Sequence, residues 1–92
     1  MLPPEMLAKI TACAKEFDAS VIWLFGSAMG DFSKAHDVDL AVEGVPNGRV
    51  FDMYCKLSDL IEKEIDLVDL SENPPIRHII WEKGIRIYER AK

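Results

Sequence analysis

Several things that would set a small chain apart are scarce or missing in this sequence. Cysteine is one of them. Of 92 residues only Cys13 and Cys55 carry thiols, and both sit in stretches that read as helix. That excludes a disulfide framework or a metal knuckle and suits a reducing cytosol. Both are expected to be buried packing residues, since free cysteine is among the most buried types. Long apolar runs are absent too: the longest, Val21 to Phe25, is far short of the ~20 residues a membrane span needs. No charged segment followed by an apolar one opens the chain, as a secretory signal would. Basic residues are few, 11 Lys and Arg against 16 Asp and Glu for a net charge of −5, and they are scattered. This argues against a sequence-independent nucleic-acid binder, whose affinity comes mostly from cations set against phosphates. A Gly-x-x-x-x-Gly-Lys loop is missing, and so is any Ser-His-Asp or Cys-His arrangement, which disfavours a kinase or a hydrolase.

What remains is ordinary globular composition, 49% hydrophobic and 29% charged, with no repeat, low-complexity tract or linker. Residues 1–92 are expected to form one compact cytoplasmic domain with no membrane contact. Pro3 and Pro4 lead into Met6, Leu7, Ile10, Ala14 and Phe17, whose spacing of three and four predicts an amphipathic helix that a proline can begin. Val21 to Phe25, ended by Gly26, reads as a short strand covered on both faces. His36 to Glu43 alternates, with Val38, Leu40 and Val42 on one face and Asp37, Asp39 and Ala41 on the other, which is a period-2 strand. The turn residues Gly44 to Gly48 end it. Val50, Phe51, Tyr54, Leu57 and Ile61 form the stripe of a second helix. Ile65 to Leu70 reads as a third strand and Asn73-Pro74-Pro75 as a break. Ile76, Ile79 and Ile80 mark a last short helix, with Gly84 as its C-cap, and Ile85, Ile87 and Tyr88 an extended end. The predicted fold is a small α/β (α+β) layer, with helices packed on a mixed sheet.

The chemistry-bearing stretch is Gly26-Ser27 followed, nine residues on, by Asp37-Val38-Asp39. Side chains two apart on a strand share a face, so the two carboxylates can converge on one hard cation. Mg²⁺ takes a few carboxylate oxygens together with substrate phosphate oxygens. A third acid from a neighbouring strand would complete such a site, and both Asp66 and Asp69 are placed to supply it. Gly26 ends the first strand, and Ser27 is expected to open a helix whose free N–H groups would cradle a triphosphate. Taken singly, each residue has a plainer reading: Asp-x-Asp as a solvated strand face, Ser27 as an N-cap, His36, His78 and Lys34 as surface residues, Trp23 and Trp81 as packing.

Taken together, Gly26-Ser27, Asp37-Val38-Asp39-Leu40 and Ile65-Asp66-Leu67-Val68-Asp69-Leu70 resemble the minimal nucleotidyltransferases of the DNA polymerase β superfamily. The likeness continues through Glu82-Lys83-Gly84 to an Ile-x-Ile-Tyr ending. The resemblance implies the polymerase β-like fold. It implies phosphate binding at Gly26 and Ser27, and two Mg²⁺ ions held by Asp37, Asp39 and Asp66, with Asp66 rather than Asp69 as the third acid and an aid to deprotonation. The implied reaction is in-line attack on the α-phosphate of a nucleoside triphosphate, ATP first among them, with pyrophosphate leaving. Members of this size resemble antitoxins paired with HEPN-domain toxins, and the implied acceptor is then a protein hydroxyl on that partner.

This chain differs from the family pattern in three places. Ala28-Met29-Gly30-Asp31 stands where arginines commonly follow Gly-Ser, the spacer is one residue short, and His36 replaces a serine. The resemblance therefore leads to two readings. One is a Mg²⁺-dependent protein adenylyltransferase. The other is a non-catalytic antitoxin or scaffold that masks its partner by binding. An exposed apolar face on so small a domain would mark a dimer or a partner contact.

Overall fold

A computed structural model describes residues 2–30, 34, 36–46 and 48–91, with side chains at all of these but Ser27 and Ala28. Asp31 of the loop lies outside the described residues. The chain begins with helix α1, Pro4–Glu16, entered through Pro3 in an extended conformation with Pro4 in the first turn. Proline is tolerated there because the first N–H groups of a helix have no intrahelical partner. Strand β1, Val21–Phe25, follows, then a single 3-10 turn, Gly26–Met29, and strand β2, Asp37–Glu43. Helix α2, Val50–Leu60, strand β3, Glu64–Asp69, and a second 3-10 turn, Leu70–Glu72, come next. Helix α3, Arg77–Lys83, and strand β4, Ile85–Glu89, complete the fold.

The four strands form one mixed sheet in the order β3-β2-β1-β4. β1 pairs antiparallel with β2 and with β4, and β2 pairs parallel with β3. Parallel neighbours need a crossover, which α2 provides. One face carries Ile22, Leu24, Val38, Leu40, Val42 and Ile65, packed against Ile10, Cys13 and Ala14 of α1 and Met53 and Leu57 of α2. The other carries a smaller cluster of Trp23, Ala41, Leu70 and Ile80, the last from α3. β1 is therefore covered on both faces, as its continuous apolar run predicts. Among the described residues no helix is long and apolar enough to cross a membrane.

The structure departs from the sequence expectations in three places. On α2 the inward face runs through Met53 and Leu57, while Phe51 is 71% exposed and Tyr54 38% exposed. Phe51 precedes Met53 by two residues, about 200° around the helix, so it turns outward once Met53 turns in. Cys55, two residues after Met53, is exposed for the same reason, and only Cys13 is buried. Ser27 opens no α-helix; its backbone lies in the 3-10 turn. Gly84 caps α3 as expected, in an extended conformation with φ −73° and ψ 163° that any residue can adopt. It is needed for closeness instead: a Cβ there would lie 2.6 Å from the Ile80 carbonyl oxygen.

Candidate active site

Alternation along β2 puts Asp37 and Asp39 on the face shared by Trp23 and Ala41. That face is dry in its middle, where Ala41 is fully buried and Trp23 nearly so. At the start of β2 it opens, leaving Asp37 exposed and Asp39 half-buried. The parallel register with β3 then decides which further acids join them. Asp39 stands level with Asp66, Asp37 with Glu64, and Val42 with Asp69. Level residues on neighbouring strands share a face about 4.8 Å apart. Asp66 thus stands beside Asp39 and Asp69 does not. The Asp69 carboxylate accepts the Ser71 N–H at 2.9 Å and caps the second 3-10 turn.

The acids sense one another. Burial, then the negative charges of Asp66 and Asp37, raise the Asp39 carboxyl above its ordinary value. Desolvation and like charge act in the same direction on an acid, each disfavouring the ionised form. Gly26 brings the loop after β1 onto the same spot. Its φ of +75° is open to glycine and strained for other residues, and a Cβ on it would fall 2.0 Å from Asp39 Oδ2. Backbone and carboxylate therefore touch only because position 26 carries no side chain. The Ser27 backbone follows directly, and its side chain lies outside what the structure describes.

Beside these acids lies a cleft of about 490 Å3. Asp37, Glu64 and Asp66 line it together with Tyr54 and Ser58 of α2 and Ile61 just past its end. Glu64 is the acid that reading the sequence missed. Its signal is the alternation of Glu64 and Asp66 against Ile65 and Leu67, which acquires meaning only once β3 is set against β2. His36 and His78 are exposed, as expected of surface residues. Trp23 packs in the core, and Trp81 is 45% exposed over α3. Both indole N–H groups donate to Glu43 Oε2, at 2.9 and 3.4 Å.

The donor set suits a hard cation. Asp37, Asp39 and Asp66 offer carboxylate oxygens along two adjacent strands, with Asp39 half-buried against the glycine-led turn. Among the described residues no group of three or more acidic, histidine or cysteine side chains is placed so that it could by itself hold a metal ion. Mg²⁺ arriving with a triphosphate would need only one or two of these carboxylates, since water and phosphate oxygens fill the rest of its shell.

A mixed four-stranded sheet with α1 and α2 on one face, a glycine-led turn after β1 and acids on the facing starts of β2 and β3 is the polymerase β-like nucleotidyltransferase fold. The chain belongs to the polymerase beta nucleotidyltransferase family, whose description matches residues 8–92. No curated protein matches it significantly. Among solved structures, it is similar to a chain in the crystal structure of the toxin–antitoxin MntA-HepT. There the TM-score is 0.72 at 20% identity, over 96% of this chain and 74% of that one. A complex of a tri-AMPylated Shewanella oneidensis HEPN toxin with its MNT antitoxin gives a TM-score of 0.71 at 22% identity, over 94% and 71%. A toxin–antitoxin crystal structure with AMP-PNP gives 0.72 at 21% identity, over 91% and 73%. At these identities the likeness establishes the fold.

Proposed function

We propose that residues 1–92 form one minimal nucleotidyltransferase domain that moves a nucleoside monophosphate, AMP first among candidates, from Mg²⁺-bound triphosphate to a protein hydroxyl. In this reading the chain is the antitoxin of a HEPN-type toxin. The observation that carries it is the meeting of Asp39 with Asp66 by strand register and with Gly26 by backbone contact. The AMPylated toxin and the AMP-PNP complex among its structural neighbours support the choice of protein acceptor and of adenine nucleotide.

Asp37, Asp39 and Asp66 would hold two Mg²⁺ ions, which supply charge stabilisation to the entering and leaving oxygens. Backbone N–H groups of the Gly26–Met29 turn would orient the phosphate tail. Asp66 accepts the proton of the attacking hydroxyl. That hydroxyl oxygen bonds to the α-phosphorus as the bond to pyrophosphate breaks, and pyrophosphate carries off the electron pair.

Calorimetric titration with AMP-PNP, with and without Mg²⁺ and beside Asp39→Asn, tests the site. Binding that requires Mg²⁺ and disappears in the variant is expected, and an equal transfer rate for Asp39→Asn and the parent would sink the reading. The second reading, a partner-masking module, is favoured by Ala28 and Met29 standing where a phosphate-gripping arginine would help. It expects toxin neutralisation without nucleotide, unaffected by Asp37→Ala with Asp39→Ala.

A further inference from the structure

The proposed reaction needs a protein acceptor to reach Asp37 and Asp66, and the fold offers a surface that leads there. Phe51 and Tyr54 stand on the outer face of α2 with ring centroids 6.2 Å apart, stacked at 28°. Phe51 is 71% exposed, the most exposed of the large hydrophobic side chains described. The described residues leave most of Phe51 and part of Tyr54 uncovered, and a bare phenyl ring is a costly group to leave in water. Tyr54 also lines the 490 Å3 cleft, as do Asp37 and Asp66. The aromatic step and the acids are therefore one continuous surface, passing from α2 across Ser58 to the start of β3.

The charge of that surface says what kind of segment fits it. Besides Asp37 and Asp66 the cleft presents Glu62 and Glu64, both exposed, with Lys63 the one cation among the described residues of its lining. Once metal ions neutralise Asp37 and Asp66, Glu62 and Glu64 still face whatever enters. A segment rich in lysine or arginine is attracted there, and an acidic one is repelled.

We infer that the Phe51–Tyr54 face of α2 and the adjoining cleft form the docking surface for the acceptor, and that the acceptor's hydroxyl residue lies in a basic segment. The inference rests on the transferase reading and specifies its partner surface. An aliphatic or aromatic side chain of the acceptor covers Phe51, while its cations face Glu62 and Glu64.

Two peptides test this, each with a central tyrosine, one flanked by lysine and arginine and the other by glutamate. They are titrated into 15N-labelled full chain, following backbone amide shifts. The basic peptide is expected to bind and to move the amides of Tyr54, Ser58 and Lys63, while the acidic one leaves them in place. Phe51→Ala with Tyr54→Ala leaves the charge unchanged, so a loss of affinity of tenfold or more would report the aromatic step and not general attraction to an acidic protein. Glu62→Gln with Glu64→Gln should cost a similar factor. Glu82→Gln with Glu89→Gln, an equal charge change on α3 and on β4 at the sheet edge opposite β3, should cost little. Equal binding of both peptides, binding of neither, shifts confined to α3, or an unaltered affinity in the aromatic double variant would each overturn the proposal. Mg²⁺ and AMP-PNP titrated in a separate cell, with no peptide, report on the nucleotide site alone. A failure of the transferase reading is thus distinguishable from a failure of this one.

Discussion

Gly26 is where local backbone and site chemistry meet. Its positive φ and the 2.0 Å approach of a would-be Cβ to Asp39 Oδ2 leave no room for alanine. Gly26→Ala should destabilise the fold by about 1–3 kcal/mol, the usual cost of a strained backbone position. It should also abolish binding of Mg²⁺ with AMP-PNP, since Asp39 must move; urea melts and calorimetry check the two halves. Asp39 itself makes a prediction with a definite sign. An acid whose carboxyl is held above its ordinary value binds its proton more tightly folded than unfolded. Its contribution is favourable at low pH and is lost as pH rises through the raised value. Asp39→Asn should therefore stabilise the metal-free protein at pH 7 more than at pH 4, and saturating Mg²⁺ should erase that gain. Denaturant melts at the two pH values decide it. The two thiols separate as well. Cys13 is pushed up to about 11, by burial first and then by the charge of Glu16. A thiol-alkylating reagent added to native protein should label exposed Cys55 and spare Cys13, as read by mass spectrometry.

Elements decide what single residues cannot. The third acid is selected by the parallel pairing of β2 with β3, which sets Asp66 beside Asp39 and sends Asp69 to cap a turn. Asp69→Ala should cost about 0.5–2 kcal/mol through the lost cap and leave nucleotide binding in place, whereas Asp66→Ala should remove the binding. Helix α2 shows the same dependence on context. Its apolar residues fit a helical period over more than one face: of the stripe Val50, Phe51, Tyr54, Leu57 and Ile61, Leu57 and Ile61 are buried, while Phe51 and Tyr54 turn out and Met53 turns in. Period alone cannot tell the faces apart when apolar residues populate both. Met53→Ala should cost about 2–5 kcal/mol for the cavity it leaves, while Phe51→Ala should stay within about 0.5 kcal/mol in the isolated protein. Urea titration of both variants tests which face is inside.

At the scale of the whole molecule, binding and folding are linked. A ligand that binds only the folded chain adds about 2.7 kcal/mol of stability at a hundredfold excess over its Kd. Mg²⁺ with AMP-PNP should therefore raise Tm in the parent and leave it unchanged in Asp39→Asn. Much of this molecule follows from residue order alone. Proline at the head of α1, the apolar run of β1, the alternation of β2 and the break at Asn73 to Pro75 act over a few residues, and local sterics and side-chain period determine them. Asp37 and Asp39 share a face for the same local reason. The rest waits on contacts between distant segments. Which acid of β3 joins the pair, that Glu64 comes with it, that Gly26 must be bare because Asp39 lies against it, and that Phe51 and Cys55 face water all depend on strand register and on how α2 is rotated over the sheet. Register and rotation are chosen by the packing of the entire core, in which no short stretch of sequence has the deciding share.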